Sequence, residues 1–361
     1  MFRIASVFSL AFFLCSLAFG ASAQTPSPKP TATPAPTPTT ASIIDGMAPA
    51  DLQQVIQLLK SNYINPAALN DAELNRAMLS GVLTRLGRGV MLLPAPAPDV
   101  SETTDPFYGE VIEDHIGYLR LGALTPANLQ AMDNALQKYV GKKIDAVVID
   151  LRASGPTNDF ATAAEFAKRF SGKGKPLFTL RKAAGKQEHP FASERDAAYQ
   201  GLVIVLADDE TAGPAEALAG ILRLYTKALI IGQPTAGRAV EYSDLSLNGG
   251  RVLRAAVSEA VLPEGRLLFP GGVKPDLPVE MPVADKRLIF QQSPRAGMGP
   301  FVFERERPHL NEAALIAGRN PEIDALEASQ GRKNPEKTPP RDLVLQRAVD
   351  VVTSLAIYQK R

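Results

Sequence analysis

The residues best placed to do chemistry lie between Gly201 and Tyr242. Gly201-Leu-Val-Ile-Val-Leu-Ala207 reads as a buried strand, and Asp208-Asp-Glu-Thr-Ala-Gly-Pro-Ala-Glu216 turns from it into a helix beginning near Pro214. A second strand, Ala228-Leu-Ile-Ile-Gly232, leads to Gln233-Pro-Thr-Ala-Gly-Arg238. A strand-to-helix turn of this kind can present a nucleophile at the helix start, and the loop after the next strand could bring a base to it. Here the helix start carries Gly213, which has no side chain to attack a carbonyl. The second loop carries Arg238, and a guanidinium stays protonated, with a pKa above about 12, so it cannot accept a proton. Pro214 also removes a backbone N–H that commonly completes an oxyanion site. The nearby hydroxyls of Thr211 and Ser154 are the alternative nucleophiles, with Glu210, Glu216 or Glu241 as a carboxylate base. No spacing pairs hydroxyl to base. An ordinary helix start accounts for the same residues, with Gly213 as cap, Pro214 first, and Glu216 in the first turn.

Other chemistries find little support. His115, His189 and His309 are far apart, and no His-Glu-x-x-His, cysteine cluster or acidic calcium loop is present, so neither a metal nor any other cofactor is expected. Gly172-Lys-Gly-Lys175 reads as a solvated turn rather than a phosphate loop. A net charge of +1 with interspersed signs argues against nucleic acid as a partner.

Around this region the chain divides by composition. Met1-Phe-Arg3, the apolar run Ile4–Phe19 and Ala21-Ser-Ala23 predict a secretory signal peptide over residues 1–23, and hence a periplasmic, cell-envelope or secreted protein. Cys15 lies inside that run, so the mature chain holds no cysteine for disulfides or thiol catalysis. Residues 24–42 form a Pro/Thr-rich linker, 43–93 a helical subdomain, and 94–106 a second linker. Leu52, Val55, Ile56, Leu58 and Leu59 recur at helical spacing, and Asn70-Asp-Ala-Glu73 reads as a capping box. Residues 107–283 alternate strand and helix: strands at Ile116–Leu121, Ile144–Asp150, Leu202–Ala207 and Leu229–Gly232, with helices at Pro126–Val140, Phe160–Phe170 and Pro214–Tyr225. Arg251–Val257 and Ala260–Leu262 read as a hairpin flanking this α/β core. Residues 284–361 form a helical extension, with short helices around Asn311–Ala317 and Pro321–Ser329. A final amphipathic helix carries Leu345, Ala348, Val349, Val352, Leu355 and Ala356 on one face.

Several of these segments resemble one family when taken in order: the helical pair with Tyr63, Ile116–Leu121, Val148-Ile-Asp-Leu-Arg152, Gly201–Gly220, Gly232–Arg238, Pro263-Glu-Gly-Arg266 and Pro270-Gly-Gly-Val-Lys-Pro-Asp276. The chain is similar, from about Leu52 to Met281, to the carboxyl-terminal processing (tail-specific) serine peptidases. That resemblance implies an α/β fold with a crotonase-like spiral of β-β-α units. It also implies a peptide-binding PDZ domain where only the linker from Pro94 to Phe107 stands. It assigns the serine nucleophile to Gly213, the lysine base to Arg238 and the glutamine supporting that lysine to Tyr242. The oxyanion loop after Asp-Leu-Arg reads Ala153-Ser-Gly-Pro-Thr157 in place of the family's Asn-Pro-Gly-Gly. The resemblance therefore implies a PDZ-less member with a degenerate catalytic motif, an exported pseudopeptidase that binds polypeptide or a partner. Arg238 and Gly213 are the expected peptide-binding positions, with a peptide C-terminus or an envelope protein as ligand. The alternatives are an active serine endopeptidase with relocated residues, and a structural subunit of an envelope protease complex.

Overall fold

The computed structural model describes residues 39–94, 106–155, 158–182, 188–303 and 340–359. The signal segment, nearly all of the Pro/Thr-rich tract, most of the second linker, His309 and the short helices expected around Asn311–Ala317 and Pro321–Ser329 lie outside the described residues. The chain divides into two compact units, at Arg76 and Ala77.

In the first unit, helix α1 (Thr40–Asp45) is capped by Thr39, whose hydroxyl accepts from the Ser42 N–H at 3.3 Å. Helix α2 (Pro49–Asn62) starts on a proline, and the Asp51 carboxylate accepts from the Ala48 N–H at 3.3 Å. Helix α3 (Asp71–Leu86) begins in this unit, and its start realises half of the expected box: Asn70 Oδ1 accepts from the Glu73 N–H at 3.0 Å.

The second unit is built on two six-stranded sheets. Strand β1 is Val90–Leu93, β2 Tyr108–Ile112, β3 Ile116–Arg120 and β4 Ala146–Asp150. Strands β5 (Pro176–Lys182), β6 (Glu188–Ala192), β7 (Leu202–Ala207) and β8 (Leu229–Gly232) follow, then β9 (Val240–Ser246), β10 (Val252–Leu262), β11 (Arg266–Leu267) and β12 (Leu277–Pro278). The first sheet runs β12-β8-β7-β4-β3-β2, parallel except for the antiparallel β2 edge. Its connections are helices α4 (Pro126–Lys142), α5 (Phe160–Lys168) and α6 (Pro214–Thr226), as the alternation of apolar runs and amphipathic segments requires.

This sheet is buried on both faces, and the strand period sorts its residues. Val147 and Ile149 of β4 and Val203 and Val205 of β7 enter one apolar cluster with α4–α6. Ala146, Val148, Ile204 and Leu206 enter the other. The second sheet is organised by the long strand β10, with β1 and β5 along one edge and β9 and β11 along the other, all antiparallel.

One expectation needs correction here. Arg251–Val257 and Ala260–Leu262 are not two arms of a hairpin; they are one continuous strand, β10, and its hairpin partner is β9. An irregularity in the pairing at Ala256/Ser258 lets the strand run on where the sequence pattern breaks. A regular helix, α7 (Val283–Ala296), opens the stretch expected to be helical; it buries only Lys286, Ile289 and Ser293 and so shows little apolar periodicity. A short helix α8 (Gly299–Val302) and the terminal helix α9 (Leu343–Gln359) complete the unit. Val344, Leu345, Ala348, Val349 and Val352 of α9 pack on the second face of the parallel sheet, while Leu355 beyond them is 39% exposed.

The start of α9 is fixed by charge. Arg152, just past β4, is fully buried between two carboxylates. Its Nε and Nη2 bond Asp150 at 2.9 and 2.6 Å, and its Nη1 and Nη2 bond Asp342 at 3.0 and 2.8 Å. Asp342 in turn accepts from the Leu345 N–H at 2.9 Å, and the Tyr118 hydroxyl donates to Asp150 at 2.7 Å. Burial alone would raise the Asp150 carboxyl; the Arg152 charge and these bonds outweigh it and hold it below the usual range. Asp342→Ala leaves Arg152 paired with Asp150 but removes two charge-assisted hydrogen bonds and the acceptor of the Leu345 N–H, so it is expected to lower stability by about 2–4 kcal/mol. Asp244→Ala, at the exposed Arg254–Asp244 pair, is expected to cost less than about 1 kcal/mol. Denaturant unfolding of both variants checks the contrast.

Candidate functional site

The site forms where β7 and β8 end. Asp208 turns the chain after β7: its carboxylate accepts from the N–H groups of Glu210 and Thr211 at 3.1 and 3.2 Å. Gly213 then takes φ 60° and ψ −125°, a conformation open to glycine and strained for any residue with a Cβ, and Pro214 starts α6 with its φ preset. This sharp strand-to-helix turn is the kind of backbone that projects a side chain at a helix start. At Gly213 there is none to project.

The next loop is clasped to this turn by one carboxylate. Glu216, fully buried, accepts the Thr235 hydroxyl at 2.5 Å, the Gly237 N–H at 2.6 Å, the Arg238 N–H at 2.7 Å and the Gly213 N–H at 3.0 Å. Thr235 Oγ1 also accepts from the Val273 N–H at 2.8 Å, tying in the segment after Pro270. Gly237 is required by space: with φ 63°, a Cβ there would lie 2.1 Å from the Pro270 carbonyl oxygen. Burial raises the Glu216 pKa above the ordinary glutamate range, and the four donors oppose that rise without cancelling it.

The clasp brings Gly213 and Arg238 to one carboxylate, yet their surroundings differ. Gly213 is buried. Arg238 is half-buried and helps to wall a groove of about 860 Å³ along Gly232–Ala236, Gly271 and Val279. Tyr242 lies on β9, and its hydroxyl donates to the Arg88 carbonyl at 2.7 Å; burial raises its pKa.

Neither alternative nucleophile is paired with Glu210, Glu216 or Glu241. Thr211 is fully buried; its hydroxyl has the Leu151 carbonyl at 3.2 Å and, farther off, Asp208 Oδ1 at 3.4 Å as acceptors, and accepts from the Asp208 N–H at 3.1 Å. Ser154 is 1% exposed, and its hydroxyl has no partner among the described residues. Each candidate carboxylate is engaged elsewhere. Glu210 binds Lys286 at 2.6 Å and Arg287 at 3.2 Å, Glu241 accepts from the Ser258 hydroxyl, and Glu216 is the clasp.

Sequence reasoning missed Arg88 and Lys286. Arg88 sits between two glycines in a short 3-10 turn and enters the groove wall; its flanking glycines were the available signal. Lys286 lies buried on α7, bonded to Asp208 and Glu210, and no local pattern marks it. Among the described residues no group of three or more His, Cys, Asp or Glu side chains is arranged to hold a metal, and no helix is long and apolar enough to cross a membrane.

Residues 115–279 match the family described as Peptidase family S41. The chain is similar to the carboxy-terminal processing protease CtpA of Bacillus subtilis, 22% identical over 175 residues, covering 48% of this chain and 37% of the relative. It is likewise similar to the carboxyl-terminal-processing protease of Synechocystis sp., 26% identical over 168 residues, covering 46% of this chain and 39% of the relative. The chain thus spans well under two thirds of the length of these curated relatives. Among solved structures, a putative peptidase from Parabacteroides merdae aligns with 80% of this chain and 90% of its own, at 15% identity and a TM-score of 0.47.

Glu216→Gln tests the clasp. A glutamine keeps one acceptor oxygen and turns an NH₂ toward two of the four donors, stranding at least one backbone N–H at about 1–3 kcal/mol each. A raised folded-state pKa contributes stability that is present below the unfolded value of about 4.3 and is lost as pH rises through the folded value. The expected outcome is a destabilised variant whose deficit against wild type shrinks as pH rises above about 4.3, read from denaturant midpoints across pH.

Proposed function

We propose, for a chain whose core belongs to the carboxyl-terminal processing peptidases of family S41, an exported protein that binds polypeptide and does not cleave it. The observation that carries this reading is the turn at Gly213, which keeps a side-chain-projecting backbone with nothing to project, opposite a loop whose basic residue is Arg238. Arginine cannot take a proton from a hydroxyl, but it binds carboxylates through two parallel hydrogen bonds. The groove beside Arg238 has the size of a ligand site, and a protein chain ending in a carboxylate is the ligand class that the relatives' printed names suggest. Thr211 and Ser154 are both buried and neither is bonded to Glu210, Glu216 or Glu241; the 3.4 Å contact from the Thr211 hydroxyl reaches only Asp208, a carboxylate already bonded to Lys286, which supports the absence of a relocated nucleophile. Export to the cell envelope rests on the signal-like first 23 residues, and the crotonase-like spiral rests on motif order.

The test incubates the mature chain with an unstructured protein and with a fluorescent peptide bearing a free C-terminus. Mass spectrometry is expected to find no fragments, while anisotropy reports peptide binding that Arg238→Ala weakens by about tenfold, equivalent to about 1.4 kcal/mol. Fragments that disappear in Thr211→Ala or Ser154→Ala would instead establish an active peptidase.

A further inference from the structure

The groove wall carries both signs of charge, and they are segregated. Arg88 and Arg238 stand together: a Cβ built on Gly237, the residue before Arg238, would lie 2.7 Å from Arg88 Nη1. Arg88 Nη1 donates to the Pro270 carbonyl at 3.3 Å, and neither guanidinium has a carboxylate partner among the described residues. Asp209 and Glu280 belong to another part of the wall. Asp209 follows the end of β7, where the Ala207 carbonyl accepts from the Gln233 N–H at 3.0 Å. Glu280 follows Val279, whose N–H donates to the Gly232 carbonyl at 2.9 Å. Both carboxylates are exposed, with no ion pair or hydrogen bond among the described residues. The wall therefore offers two uncompensated cations where the loop reaches Arg238 and two uncompensated anions where it leaves the strand ends.

We propose that the groove selects a polypeptide C-terminus carrying a basic side chain upstream. The terminal carboxylate lies between Arg88 and Arg238, and the lysine or arginine lies toward Asp209 and Glu280. This rests on the polypeptide-binding reading and adds to it a second carboxylate ligand, Arg88, and a sequence preference. Complementary charge at both ends fixes the direction in which the chain lies, because the reversed peptide would set like charges together.

The experiment measures anisotropy of labelled peptides on the full chain. One series places a single lysine at successive positions before a free C-terminus; matched peptides carry a C-terminal amide, or glutamate in place of the lysine. Amidation is expected to weaken binding to wild type by about tenfold and to change nothing further in an Arg88→Ala/Arg238→Ala protein. The best lysine peptide is expected to bind about tenfold better than its glutamate counterpart, a preference that vanishes in Asp209→Asn/Glu280→Gln. Thermal melts of the variants confirm folding, which substitution of the exposed Arg88, Asp209 and Glu280 leaves intact. Binding that ignores both amidation and the lysine-to-glutamate exchange would overturn this inference and leave polypeptide binding standing. Binding of no peptide, and of no unstructured protein, would overturn both.

Discussion

A buried carboxylate without a cation beside it is costly, and a structure keeps one only where enough donors converge on it. Glu216 makes no ion pair among the described residues and accepts four hydrogen bonds instead, three of them from backbone N–H groups. Those donors come from the helix start at Gly213 and from the loop Thr235–Arg238, two segments that one backbone bond, from the Ala236 N–H to the Thr211 carbonyl at 2.9 Å, also joins. With that bond, this one group holds the turn at Gly213 and the backbone of Arg238 in place beside the groove. Through Thr235, the same carboxylate also reaches the segment that ends at β12.

A second polar centre supports the first from the other face of the sheet. Arg152 joins the end of β4 to the cap of α9, and its carbonyl accepts from Lys286 Nζ at 3.3 Å. Lys286 also bonds Asp208, whose carboxyl burial raises despite that lysine, and Asp208 shapes the turn that leads to Gly213. The terminal helix is thus part of the unit's core, and its contacts run through named side chains to the site.

Much of this was legible in the sequence where the pattern was strong. The parallel strands β3, β4, β7 and β8 are apolar runs buried on both faces, and α4–α6 start at proline or aspartate-capped positions where the sequence places them. Gly213 was legible as a helix cap from its place before Pro214, but neither its positive φ nor the role of Glu216 was. Read locally, it is an acid in the first turn of a helix; only the fold brings Thr235, Gly237 and Arg238 to it. Strands β5, β6 and β9 and helix α7 were harder, because each is partly exposed or polar and depends on partners distant in the chain or on a neighbour that does: β5 and β9 on β10, β6 on β5, and α7 on the parallel sheet. Lys286 and Asp342 illustrate the same limit: their partners lie 78 and 190 residues away in the chain, and spacing says nothing about them.

The central claim is a peptidase-type scaffold with no competent nucleophile. It is tested most directly by treating the full chain with a fluorophosphonate, which forms a covalent bond with an activated serine or threonine hydroxyl, and reading the intact mass. The account predicts no mass increase under conditions where the protein still binds an unstructured polypeptide. A stoichiometric adduct that maps to Thr211 or Ser154 would contradict it.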